Sequence, residues 1–526
     1  MGLTIESVAS GAGQVSGPQR VVKMVAGDAA RLLSQAAFGG TEQEVLAVQN
    51  QGASAWLEQQ FAATSDTGHW DWLIAKGFNA ATYINSTAGI DASLYRKLMS
   101  SPDVLRQRVA LALSEIFVVS LQGLTGQWRS FAAAAYMDML ATQAFGNFRT
   151  LLEAVTLNPA MGVYLGTKGN QKENQTTGRQ ADENYAREVM QLFTIGLFQL
   201  NPDGTQKLSG GKPIETYTLP EVTQLARVFT GWDFDKPVAG VPDHWRRNLT
   251  FNVARYSTSA KSFLGITIPA GSDGVGALKT TLDTLFKHQN VAPFFCRQLI
   301  QRLVTSNPSP AYVQRVAQVF VANSAGVRGD MKSVIRAILL DSEARQVASN
   351  NIGGKLREPM LRFVQWARSF KATSTSGNWD VGNTLDPDHR LGQSPLRSPT
   401  VFNFFRPGFV PPGNVLASTT LVAPELQITN ESTVVGYANF MQSVINGTFS
   451  DLVPSYAPEL ALVDDSAALV NHLNLMLAGG QVNSANINSM VAALNTIKVT
   501  TDAAKLNRVK AAIMLIMCAP EYLVQK

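Results

Sequence analysis

Again and again along this chain a capping side chain or a proline stands just ahead of apolar residues spaced three and four apart, and that punctuation restricts the fold to helices. Ser101-Pro102 opens one such segment, expected to run as a helix through Ser120. Ser309-Pro310 opens another through Phe320, and Gly329-Asp330 precedes Met331, Val334, Ile335 and Ile338. Thr218-Leu219-Pro220-Glu221 has the spacing in which a hydroxyl and a carboxylate satisfy each other's backbone amides, and its helix is expected to end at Thr230-Gly231. Alternating runs are short by comparison. The best of them, Phe263 to Ile268, is expected to pair with Asn248 to Val253 as a small hairpin. The expected fold is mostly α: a multi-lobed helical bundle with at most a small β-hairpin.

At 526 residues the chain exceeds the size at which a single core stops growing, so several packed lobes are expected. Loops rich in Gly, Asn and Pro at 201–212, 233–244 and 373–392 supply the punctuation between helical blocks. The expected division is a flexible N-terminal arm at 1–20, an N-terminal helical lobe at 21–200 with order beginning near Asp28, and a middle helical lobe with the hairpin at 201–345. A Pro- and aromatic-rich segment packing between lobes follows at 346–430, and a C-terminal helical cap at 431–526.

Bulk properties exclude several function classes. The apolar stretch Val109 to Leu121 is interrupted by Glu115, and Ala511 to Pro520 is about half the ~20 residues of a spanning helix, so no transmembrane anchoring is expected. The net charge of +5 is spread without a lysine-arginine block, so no nucleic-acid partner is expected. Cys296 and Cys518 form no C-x-x-C, although one long-range bridge between them stays open. No signal peptide is legible at the first residues, and the compartment stays unassigned. The five histidines never stand as H-x-H or H-E-x-x-H, so no metal site is assigned. Asp386, Asp388 and His389 lack the glycine and distal glutamate of a calcium loop and read as a proline turn, with a metal-dependent enzyme as the rival. No nucleophile elbow or Walker loop is present, and Gly11-Ala12-Gly13 with Gly17 lacks dinucleotide spacing. No cofactor follows from these patterns.

Three segments carry candidate chemistry. Asp182-Glu183-Asn184-Tyr185-Ala186-Arg187-Glu188 runs into Val189, Leu192, Phe193, Ile195 and Leu197, so one short helix is expected to bury a face and hold a polar constellation, in a chain only 16% charged. Here Glu188 and Asn184 are the candidate catalytic pair, and Glu183 and Arg187 a ligand-binding pair; alternatively Asp182 caps the helix, Glu183 pairs with Arg187, and Glu188 is an anchor. Trp232 follows Thr230-Gly231 and either stacks on a ligand or plugs a lobe junction. Ser394 to Asn414 sets Phe402, Phe404, Phe405 and Phe409 beside Arg397 and Arg406. It is either a rigid wedge between helices or a mouth of rings and guanidinium groups for an anionic or carbohydrate ligand. Lys261 joins Trp232, Arg397 and Arg406 as a candidate ligand contact.

At these residues the chain resembles the bacterial family of uncharacterised domain 1800 (DUF1800), whose hallmarks are an Asn-Tyr-Ala-Arg-Glu helix and a later helix ending Thr-Gly-Trp. They stand here at Asn184 to Glu188 and Thr230 to Trp232, with further likeness at Asn158-Pro159-Ala160-Met161, Lys261-Ser262-Phe263-Leu264-Gly265 and Leu391-Gly392-Gln393-Ser394-Pro395. The resemblance is expected to extend from about Ala29 to Ile428. The family often carries His-Asp ahead of the Lys-x-x-Leu-Gly stretch, where this chain has Tyr256-Ser257. The resemblance implies an exported, envelope setting and a sulfatase-like (DUF1501-type) partner. Two functions are expected from it and from the residues together: a binding or assembly component, or a carboxylate-dependent hydrolase or lyase acting on a carbohydrate-like polymer.

Overall fold

The computed structural model describes residues 23–346 and 353–526; the N-terminal arm and the glycines at 11, 13 and 17 lie outside them. The chain is 52% helical, with small two-stranded antiparallel sheets between the helices. Buried apolar side chains from Ala29 to Tyr522 join one hydrophobic cluster. Near its middle Phe148 packs on Phe295 and Phe320, with ring centroids 4.5 Å and 5.3 Å away, and Phe117 meets Phe193 at 5.3 Å. Among the described residues no helix is long and apolar enough to cross a membrane. Cys296 is buried, Cys518 is exposed, and both are free thiols.

Most helix starts follow the sequence punctuation. Ser309 caps Pro310–Val321 through the Tyr312 amide, and Met331–Leu340 begins directly after Asp330. Glu221 accepts both the amide and the hydroxyl of Thr218, at 2.8 Å and 3.0 Å, at the start of Leu219–Ala226. The helix expected from Ser101 to Ser120 is shorter. It spans Val104–Ser114 behind Asp103, because the hydroxyl of Ser101 donates to Asp103 and to Asp66 rather than capping a turn.

The hairpin also differs from expectation. Lys261–Phe263 pairs with Ile266–Ile268, folding the expected strand back on itself, while Thr250–Phe251 pairs with Trp232–Asp233. Leu264 and Gly265 both take positive φ, +47° and +76°, which is the two-residue turn that matches the right-handed twist of strands.

Candidate functional site

The two hallmark segments are bolted to each other before they can do anything else. Asp182 accepts the Asn184 amide at 2.8 Å, opening the helix Asn184–Glu188. Tyr185 and Ala186 are buried, the Tyr185 hydroxyl donating to Thr156 at 2.7 Å, and its ring meets Phe229 at 4.8 Å. Glu183 and Arg187 form an ion pair at 3.1 Å, and Thr223 of the neighbouring helix donates to Glu183 at 2.6 Å. Asn170 accepts the Asp182 amide at 3.0 Å, while its carbonyl accepts from Gly231 at 2.9 Å. Gly231 needs its missing side chain: φ is +84°, and a Cβ would stand 2.8 Å from the Asn252 carbonyl. Thr230 accepts the Ser257 amide at 2.9 Å. The Thr-Gly-Trp hallmark is thus a staple joining residues 170, 252 and 257.

The expected catalytic and ligand residues land in different places. Asn184 is exposed, whereas Glu188 is 7% exposed and its Oε2 has no hydrogen-bond partner among the described residues. Burial raises the Glu188 carboxyl above its ordinary range, with Arg187 opposing. Trp232 is buried against Phe251, ring centroids 5.3 Å apart. Lys261 is 1% exposed: its Nζ donates at 2.8 Å to the carbonyls of Ser257 and Ser259 and lies 4.6 Å from the Tyr256 ring centre. The Ser257 and Ser259 hydroxyls donate to Glu173, at 3.0 Å and 2.7 Å. Arg397 grips both oxygens of Asp91 at 2.7 Å. Asp386 accepts the amides of Asp388 and His389, closing a turn, and no group of three or more metal-ligating side chains is present among the described residues.

A different set of side chains converges on a cleft of about 630 Å³. Past Glu188 the helix widens into a π turn, Val189–Thr194, in which the amides of Ile195 and Gly196 both reach the Met190 carbonyl at 2.9 Å. The single helix expected here is therefore two, and the wider turn sends Val189, Met190 and Phe193 into the core and Gln191 and Leu192 to the cleft. Opposite, the helix Val291–Leu303 buries Val291, Phe295, Leu299 and Ile300, and offers the stripe Phe294, Arg297, Gln298, Gln301 and Arg302. The ring-rich segment divides: Phe404 and Phe405 are buried, while Phe402, Arg406 and Phe409 line the cleft, Arg406 lying 4.6 Å from the Phe402 ring centre.

At the inner wall Glu115 and Arg302 belong to a buried charge cluster. Arg302 Nε lies 3.4 Å from Glu115, and the Arg302 carbonyl accepts from Arg108 at 2.6 Å and Lys355 at 2.8 Å. Lys355 also pairs with Glu425 at 3.1 Å and lies 3.7 Å from Glu358, which accepts from Gln393 at 2.6 Å. Burial, then the charge of Glu358, holds the Glu115 carboxyl above the usual carboxylate range despite Arg302, Arg108 and Lys355. None of this cluster was read as a site from the sequence. Its signals were present: Glu115 breaks an apolar run, and Arg297 to Arg302 interleaves polar side chains with an apolar helix stripe.

With this geometry in hand, a family model described as a protein of unknown function (DUF1800) matches residues 31–524. The chain belongs to the DUF1800 family. The match runs past Ile428, where the resemblance was expected to end, because the DUF1800 region includes the last helices; the final strand Val524–Gln525 pairs with Lys355–Leu356 beside the charge cluster. No curated protein and no solved structure matches the chain.

Proposed function

We propose that this DUF1800 protein is a binding component whose ligand, a segment of a carbohydrate-like polymer, lies in the cleft between the π turn, the helix Val291–Leu303 and the ring-rich segment. The observation that carries this reading is the chemistry of the lining. It holds Phe198, Phe294, Phe402 and Phe409, the exposed amide of Gln206, the amides of Gln191, Gln298 and Gln301, which already bond to Tyr217, to the Leu192 carbonyl and to the carbonyls of Ser306 and Pro407, and a single carboxylate, Glu115. None of the lining residues among those described is a serine, threonine, cysteine, histidine, lysine or tyrosine. Rings and amides recognise a polar chain by stacking and hydrogen bonding; chemistry on it needs a nucleophile or a matched acid and base. The reading places the protein in an envelope setting beside a sulfatase-like (DUF1501-type) partner, as the family resemblance implied.

Gly408→Trp tests it. Gly408 lines the cleft, is exposed, and a Cβ there meets nothing within 4 Å, so the fold has room for a larger side chain, and an indole at this position is expected to obstruct the cleft. The expected outcome is that oligosaccharides retained by the wild-type protein on a glycan array are lost by the variant, with an unchanged circular dichroism spectrum. Retention by both proteins would place binding elsewhere.

The hydrolase or lyase reading is favoured by one observation, the unpartnered and burial-raised Glu188, three residues ahead of Gln191 in the cleft wall. In that reading Glu188 exchanges a proton with substrate and the Arg187–Glu183 pair holds the chain, while Asn184, which faces solvent, and Trp232, buried against Phe251, lose the roles expected of them. It requires that Glu188→Gln abolish release of new reducing ends or unsaturated products from a polymer that the wild-type protein cleaves.

A further inference from the structure

Arg297 is half-buried in the wall of the cleft, and among the described residues no carboxylate or carbonyl pairs with its guanidinium. Desolvation by burial pushes its pKa down, and no neighbouring charge opposes the shift. Other arginines show the contrast. Arg302, one turn and a half further along, has Glu115 and the carbonyls of Glu115 and Gln298; Arg397 has Asp91. Across the cleft Arg406 rests on the Phe402 ring and likewise has no acidic partner among the described residues. Gln206 adds an exposed amide to the same lining, while Gln298 donates to the Leu192 carbonyl. The one acid of the lining, Glu115, faces Arg302, Arg108 and Lys355 and is not free to neutralise either cation.

We infer that the cleft ligand carries an anionic group, a carboxylate or a sulfate ester, which the guanidinium fork of Arg297 holds from one wall while Arg406 closes over it from the other. This rests on the cleft being the binding site and specifies what the site selects. A planar fork matches a carboxylate or sulfate with two parallel N–H···O bonds, which a lysine at the same place cannot make. Arg297 is half-buried, so the pair is stronger than on an open surface.

The test uses the full chain and three disaccharides of one backbone, neutral, uronate-bearing and O-sulfated, titrated calorimetrically into wild type, Arg297→Gln, Arg297→Lys and Gly408→Trp. The expected result is that one or both acidic sugars bind the wild type at least about tenfold more tightly than the neutral one. That preference should disappear in Arg297→Gln, return only in part in Arg297→Lys, and fall away with all binding in Gly408→Trp. Which acidic sugar gains identifies the group. Equal binding of all three sugars, lost in Gly408→Trp and unchanged in Arg297→Gln, would overturn the anion inference and leave the cleft as the site. Binding that survives Gly408→Trp, or no binding of any sugar, would overturn both.

Discussion

Glu188 and Lys261 are both buried ionisable groups, and burial moves them in opposite directions along the pH axis. Lys261 is brought down to about 8, chiefly by desolvation, with Glu173 opposing. Between about 8 and the ordinary 10.5 the unfolded chain holds a proton that the folded protein has released, so folding gains stability as pH rises through that window. Wild type is therefore expected to gain on Lys261→Met in urea midpoint as pH is raised across it; a constant difference would mean that the ammonium stays charged. For Glu188 the sign reverses. Its folded carboxyl is raised, so the stability it contributes is complete in acid and is lost as pH climbs through the folded value. Glu188→Gln is thus expected to equal or exceed wild type in melting temperature at neutral pH and to lose that advantage in acid. A Glu188→Gln protein that fails to fold would instead make the carboxylate an anchor. The sequence showed that a carboxylate stood beside apolar residues; only packing showed that Asn184 faces solvent while Glu188 does not.

At the scale of elements, the two glycines Gly231 and Gly265 separate backbone conformation from contact. Both have φ near +80°, +84° and +76°, but a Cβ meets the Asn252 carbonyl at Gly231 and open space at Gly265. Gly265→Ala is expected to cost about 1 kcal/mol, the strain of the turn alone, and Gly231→Ala distinctly more, read as urea midpoints of the two variants. Equal losses would show that the Thr-Gly-Trp staple yields easily. The helix starts at Thr218 and Ser309 were legible because caps and prolines act within one turn of their own position. Two features were not. The Leu264-Gly265 hairpin was missed because leucine rarely takes positive φ, so its turn lacks the usual asparagine or aspartate signal. The π turn after Glu188 arises from Tyr185, Phe193 and Val189 each meeting core partners, which no local period encodes.

At the scale of the molecule, Arg108, Glu115, Arg302, Lys355, Glu358 and Glu425 are brought from four separate stretches of chain into one buried cluster of three basic and three acidic side chains. Each charge is affordable only with its partners, because desolvating an unpaired ion exceeds what any single contact returns. Lys355→Met strands Glu425 and Glu358 and is expected to destabilise by about 3–5 kcal/mol in urea unfolding. The double variant Lys355→Met/Glu425→Met should recover part of that loss, since it removes both halves of the pair. Simple additivity would show that the two groups do not depend on each other.

By itself the sequence determined the helical class, most of the helix starts and membership of the DUF1800 family, because those rest on spacing and capping within a few residues. It also placed Phe402, Phe409 and Arg406 together as a ring-and-guanidinium segment. What only the tertiary structure decided is which of these side chains share a cavity: Arg397 is bound to Asp91, Lys261 to two carbonyls and Trp232 to Phe251, while Arg297, Gln191 and Glu115 meet Arg406 in the cleft. Partnership across hundreds of residues is set by which faces the core consumes, and a side chain becomes available to a ligand only when nothing else in the folded chain has claimed it.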